Sequence, residues 1–260
     1  MTGEEMLLET QRLSPFTDIF TERAEAYQRA METNPTARDK EFLNVLHYAD
    51  IQDGHVVFDI PSYGGYLLPH TPVNAKVIGL DPSGAFAELE RKTEQQVVRC
   101  EEIEFPYRDC TADRVVSISG AHLMGDRLAF FKEVKRVMKL GGILSVADVH
   151  IESKVAHFLQ RFVNANSSKG YQGKFVDDNT QRLIEGSGLV VTFAQRISFP
   201  WKFSSIDGAI EFVRQLFGID MASPKDIEAA LQDYLGIQKI GKEYYLRWEL
   251  MFYKATRVRL

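Results

Sequence analysis

Two aspartates placed around a glycine-containing turn are the first residues of this 260-residue chain whose types and spacing suggest chemistry. Asp59 lies at the end of the apolar run 55–60 and is followed by Pro61, Ser62, Tyr63, Gly64 and Gly65. Asp81 closes a second apolar run, 75–80, and stands 22 residues further on. In a nucleotide-binding unit, an acid at the end of the second strand accepts hydrogen bonds from both hydroxyls of an adenosine ribose. The competing role for Asp81 is a cap on a helix that begins near Ser83. Histidines follow the later apolar runs, His122 after 114–118 and His150 after 143–147, with His157 beyond them. An imidazole at such a place serves as a general base or a substrate contact, or else simply packs.

The surrounding pattern supplies the elements that would position these groups. The runs 55–60, 75–80, 114–118 and 143–147 lack polar alternation, as strands buried on both faces do. Between the last two lies a helical segment, 126–140, with Leu128, Phe131, Val134 and Val137 on one face and a stop at Gly141-Gly142. Upstream, Phe16, Ile19, Phe20, Ala24 and Tyr27 recur at helical spacing, and Phe42, Val45 and Leu46 mark a second helix after Pro35. Downstream, helices are expected at 153–163, 178–185, 205–217 and 224–235, and strands at 189–199 and 244–258. Alternating strand and helix predicts a doubly wound α/β sheet, whose ligands sit outside the carboxyl ends of the strands. No linker or repeat divides the chain. It reads as one domain with a helical lid (1–50), a cofactor half (55–150) and a substrate-side half (151–260).

Bulk properties narrow the function. The chain is 45% hydrophobic and 26% charged, with a net charge of −5, which disfavours a general nucleic-acid binder. No apolar run reaches transmembrane length and no leader is visible, so no membrane role and a cytoplasmic setting are expected. Two cysteines are too few for a disulfide framework or a zinc cluster, and no metal is expected.

The stretches VVFDIPSYGGYL, VIGLDPS, IEFPYRDCTADRVVSISGAHL and FFKEVKRVMKLGGILSVADV resemble, in order, the motifs of class I S-adenosylmethionine-dependent methyltransferases. The most similar kind is the small-molecule branch that includes the ubiquinone and menaquinone biosynthesis methyltransferases. The likeness spans about 55–150 and extends to YYLRWELMFYKATRV at the end. It implies a Rossmann-like seven-stranded sheet with the last strand antiparallel, N-terminal helices, and a helical insertion before that strand. It also implies S-adenosylmethionine as cofactor and a small organic acceptor, and the acidic charge balance adds the expectation of no nucleic acid as partner. By position, Asp59, Pro61, Gly64 and Gly65 would line the methionine moiety. Asp81 would hold the ribose beside Pro82, Glu101 (or Glu102) would receive the adenine amino group, and Ser119 and Gly120 would contact the sulfonium region. His150 and His122 are the candidate catalytic bases.

One departure stands out. The family's turn reads acid-x-Gly-x-Gly-x-Gly, and the three glycine positions here hold Pro61, Tyr63 and Gly65. Proline suits an ordinary turn angle, whereas a bulky tyrosine is disfavoured at positive φ and would fill ligand space. The alternative to a working enzyme is therefore a methyltransferase-like binding protein with a degenerate cofactor turn. The aromatic segment 199–203 suits a wall of an apolar substrate pocket or a homodimer face, with core packing as the third reading.

Overall fold

The computed structural model describes residues 15–83, 85–86 and 96–259, with side chains from Arg23 onward. The expected side-chain face formed by Phe16, Ile19 and Phe20 lies outside the described residues, as does most of the helix after Ser83. Helix α1 (Pro15–Thr33) buries Ala24, Tyr27, Ala30 and Met31, spaced so that they share one face. Helix α2 (Asp39–Ala49) buries Phe42, Val45 and Ala49 on its inner side, where Ser145 donates a hydrogen bond to the Val45 carbonyl at 2.8 Å.

Four parallel strands follow: β1 (Val56–Asp59), β2 (Lys76–Asp81), β3 (Gln96–Arg99) and β4 (Ala112–Ile118). Strand β5 (Met138–Asp148) pairs parallel to β4, and β8 (Glu243–Thr256) runs antiparallel between β5 and β6 (Val190–Phe203). The sheet order is β3-β2-β1-β4-β5-β8-β6. This is the expected doubly wound sheet with an antiparallel closing strand. The chain reverses direction across the sheet between β1 and β4, which opens the crevice where ligands of such folds bind. A short strand that the sequence pattern did not reveal, β7 (Ile237–Ile240), forms a hairpin with β8.

Helix α3 (Arg127–Val137) begins at Asp126, whose side chain accepts the Ala129 N–H at 2.9 Å. It stops at Val137 rather than at Gly141-Gly142. Met138 already pairs with Ala112 of β4, and the Arg257 guanidinium takes the carbonyls of Lys135, Arg136 and Met138 that a longer helix would use. After β5 the chain forms α4 (Lys154–His157), widens into a π-helical stretch (Phe158–Val163) and closes at Asn164–Asn166. Helix α5 (Asp178–Gly186) precedes β6, and α6 (Ile206–Phe217) and α7 (Pro224–Ala230) form the insertion before β8. Helix α6 packs against α1, so the insertion and the N-terminal helix together roof the strand ends.

Candidate active site

The turn after β1 takes three consecutive left-handed residues: Tyr63 (φ 45°), Gly64 (φ 98°) and Gly65 (φ 74°). Glycine suits the last two, and a Cβ on Gly64 would also come within 2.7 Å of the Tyr66 ring. Tyr63 adopts the same region against its steric preference, held by contacts on every side. Its N–H donates to Asp81 Oδ2 at 3.0 Å, and its hydroxyl donates to the Ser119 carbonyl at 3.0 Å. Its ring packs against Tyr27 and Phe86 at centroid distances of 6.0 and 5.6 Å. The side chain therefore bridges the turn after β1 to the end of β4. Burial pushes its phenol pKa well above the ordinary value, helped by the Asp81 carboxylate, so the hydroxyl stays a donor.

Asp81 is completely buried. Besides the Tyr63 N–H, its carboxylate accepts the Ser83 N–H at 2.7 Å and the Ser62 hydroxyl at 3.4 Å. The carboxylate thus holds both the turn after β1 and the residue two positions on, and these contacts occupy oxygens that ribose hydroxyls would use. Asp59 is also buried, at the end of β1. Pro61 lies directly against Gly120, where a Cβ would come within 2.2 Å of the proline Cδ. The close approach of two strand ends, not ligand space, accounts for glycine at 120. Pro82 is buried beside Asp81, while Glu101 is exposed and forms a bridge with Glu104. Glu102 instead accepts the Gly125 N–H at 3.0 Å.

Two cavities meet at Tyr63. A cleft of about 710 Å³, its mouth included, is lined by Ser119, His122, Leu123 and Val149 from the strand ends, Tyr27 and Arg38 from the N-terminal segment, and Trp201, Phe217, Tyr171 and Trp248 from the substrate side. A smaller space of about 260 Å³ is lined by Asp59, Pro61, Ser62, Tyr66 and Leu67. Tyr63 lines both, as do Tyr27 and Arg38.

The two histidine candidates part company. His122 lines the large cleft, and its Nδ1 lies 2.8 Å from Asp148 Oδ1. Asp148 is fully buried at the end of β5 and also accepts the His122 and Val149 N–H groups at 2.9 and 2.7 Å. Such a carboxylate fixes a proton on Nδ1 and leaves the Nε2 lone pair as the basic site. His150 is buried away from the cleft, with Nδ1 accepting the Glu152 N–H at 3.3 Å and Nε2 3.5 Å from Asp178. His157 is exposed.

Within the aromatic segment 199–203, Phe199, Trp201 and Phe203 point inward on β6. Trp201 stacks on Trp248 at 3.9 Å and forms part of the cleft wall, so packing and pocket readings coexist at one residue. Its indole N–H donates to Glu41 at 2.9 Å, and Glu41 forms a buried bidentate pair with Arg38. The pairing of Asp148 with His122 was not read from the sequence. The signal was there: Ile118 pairs with Ala147, so residues just past β4 and β5 must be neighbours.

Residues 61–146 match the family model described as a methyltransferase domain. A curated mouse (Mus musculus) protein named "Probable tRNA methyltransferase 9B" is 28% identical over 141 residues, which is 53% of this chain but 30% of that protein. The chain thus spans under a third of the length of that relative. Among solved structures, the YcgJ protein of Bacillus subtilis superposes with a TM-score of 0.61 at 15% identity, covering 85% of this chain and all (100%) of that one. A SAM-dependent methyltransferase of Thermotoga maritima, described as a possible histamine N-methyltransferase, superposes with a TM-score of 0.59 at 18% identity, covering 93% and 99%. The sequence match over 61–146 identifies those residues as a methyltransferase domain, and the strand order is that of the Rossmann-like fold its structural neighbours share.

Proposed function

We propose that the protein transfers the methyl group of S-adenosylmethionine to an O–H or N–H of a small, largely apolar acceptor, with His122 as general base. The observation that carries this reading is the His122–Asp148 pair at 2.8 Å on the wall of an aromatic cleft. The residues suit the cofactor in kind: Asp59, Gly64, Gly65, Asp81 and the Ser119 carbonyl stand at adjacent strand ends, and Asp81 and Ser119 would serve as its acceptors once the Tyr63 contacts give way. When bound, the cofactor supplies an already activated methyl group, so the protein has to position, desolvate and accept a proton. The Trp201–Trp248 stack and Phe217 exclude water, and His122 Nε2 takes the acceptor's proton while the buried Asp148 carboxylate stabilises the imidazolium.

The aromatic walls of the cleft suit a compact acceptor. The net charge of −5 argues against an RNA acceptor despite the name of the mouse relative. The structural neighbour from Thermotoga, by contrast, is described as a possible histamine N-methyltransferase. His122→Asn and Asp148→Asn are expected to lower turnover by about 100-fold while S-adenosylhomocysteine still binds within about twofold of wild type. Unchanged turnover in His122→Asn would remove the base from the mechanism.

A specific observation favours a second reading. Tyr63 already satisfies Asp81 and the Ser119 carbonyl and seals the turn, as a protein that binds without turnover would have it. Under that reading no cofactor binds to the wild-type chain, and calorimetry with S-adenosylhomocysteine decides between the two.

A further inference from the structure

Two arginines reach the aromatic cleft, and they differ in one respect. Arg38 is neutralised: although burial opposes its charge, the Glu41 carboxylate more than compensates and its pKa is raised. Arg23, on α1, makes no ion pair with any described residue. Its guanidinium donates to the Leu216 carbonyl, and its Nε is buried without an acceptor among the described residues. Burial pulls its pKa below the ordinary value, the sign expected of a cation lacking a counter-ion.

A second orphan donor lines the same cleft. The Tyr171 hydroxyl is buried and has no hydrogen-bond partner among the described residues. Burial, then the Asp148 carboxylate, pushes its pKa well above the ordinary phenol value, while Arg23 acts on it in the opposite direction. It therefore remains a protonated donor close enough to feel the guanidinium. The ring stacks on Phe175 at 5.1 Å and lies nearly parallel to His122, 13° between planes at 6.3 Å. Gly173 sits between the two groups: a Cβ there would come within 2.7 Å of His122 Cδ2 and 3.2 Å of the Tyr171 hydroxyl. The orphan donors and the His122–Asp148 pair thus belong to one continuous space.

We infer that Arg23 and Tyr171 form an anion subsite of this cleft and that the acceptor is a compact aromatic carboxylic acid. A largely buried cation without a counter-ion among the described residues and a buried phenol without an acceptor there are each unfavourable alone, and a single carboxylate satisfies both. The remaining walls, Trp201, Trp248 and Phe217, match an aromatic ring. Because the subsite adjoins His122, the reacting group and the carboxylate sit close together on the ligand, as in an ortho-hydroxy acid. Naming the ligand as acceptor rests on the methyltransferase reading above; the subsite itself does not.

The chain contains two tryptophans, and both line the cleft, so intrinsic fluorescence reports on it directly. The probes are benzoate, salicylate and indole-3-acetate, each titrated beside its neutral amide. At least one acid is expected to bind wild-type protein about tenfold or more tightly than its amide. Arg23→Gln is expected to bring acid and amide within about twofold, and Tyr171→Phe to cut the preference about threefold. Arg23→Lys, which keeps the charge, is expected to retain part of the preference and covers the case in which Arg23→Gln does not fold. Three results would overturn the inference. These are no preference for acid over amide in any pair, an undiminished preference in Arg23→Gln, and loss of S-adenosylhomocysteine binding in Arg23→Gln with the acid preference intact. The last would assign the subsite to the cofactor's own carboxylate. Absence of methyl transfer alongside the expected fluorescence result would sink the enzymatic reading and leave the subsite standing.

Discussion

Replacing Tyr63 with glycine separates the cost of the closed turn from the cost of losing a packed ring. The ring is 7% exposed and contacts Tyr27 and Phe86, so its removal costs about 3–5 kcal/mol of folding stability. The hydrogen bond to the Ser119 carbonyl adds about 1 kcal/mol. Glycine at φ 45° returns about 1 kcal/mol of left-handed strain. The net expectation is a loss of about 3–5 kcal/mol in urea denaturation. Binding should move the other way. If a ligand must displace the ring, only the small open fraction of molecules is competent, and apparent affinity is reduced by that fraction. A local opening of about 2–3 kcal/mol, since part of the packing is recovered on the ligand, weakens binding about 30–150-fold. Calorimetric titration with S-adenosylhomocysteine should therefore show Tyr63→Gly binding at least about tenfold tighter than wild type although the protein is less stable. Tyr63→Phe, which loses only the hydroxyl contact, should lie between them. Equal or weaker binding by Tyr63→Gly would refute the idea that the ring contests the cofactor space.

Glu41→Ala leaves the Arg38 guanidinium buried without its bidentate partner and removes the acceptor of the Trp201 indole N–H. A loss of about 3–5 kcal/mol in urea denaturation is expected; a loss below about 1 kcal/mol would place the pair in solvent. Gly120→Ala drives a Cβ into Pro61, so about 1–3 kcal/mol of stability and the arrangement of the β1 turn should be lost, read as a lowered Tm and weakened S-adenosylhomocysteine binding. The thiols should differ sharply. Cys110 is exposed, whereas burial, then Asp81, pushes the Cys100 thiol up to about 12. A disulfide reagent near pH 8 should react quickly with Cys110 alone and reach Cys100 only on unfolding. Because the folded state keeps the Cys100 proton where the unfolded chain loses it, this thiol's contribution to stability is present below the ordinary thiol pKa and is lost as pH rises towards about 12.

The sheet was legible because its strands carry the plainest pattern a sequence offers, unbroken apolar runs buried on both faces. Four of them, the helix after Asp126 and the insertion between 205 and 235 lie within a few residues of expectation. The helix end at Val137 was not legible, because Gly141-Gly142 gives a local stop signal while the decisive contact is Arg257, 119 residues beyond Met138. The turn after β1 was legible in its oddity, since tyrosine at a left-handed position is a local conflict. The consequence required three dimensions: the hydroxyl reaches Ser119, 56 residues away. The cleft was least legible. His122 and His150 look alike in sequence, each just past a strand, and only the register of β4 on β5 gives one of them Asp148 and a cavity. Arg23 and Tyr171 lie in a helix and a loop where an arginine and a tyrosine carry no pattern. Their significance comes from the Arg23 Nε and the Tyr171 hydroxyl, which find no acceptor among the described residues.

The reading of the chain as an enzyme for a small acceptor is tested most directly by S-adenosylhomocysteine production. The purified protein would be incubated with S-adenosylmethionine and either the small-metabolite fraction or the tRNA fraction of a cell extract. Formation of S-adenosylhomocysteine with the metabolite fraction, and its fall in His122→Asn, is the expected result. Turnover with tRNA alone, or with neither fraction, would contradict it.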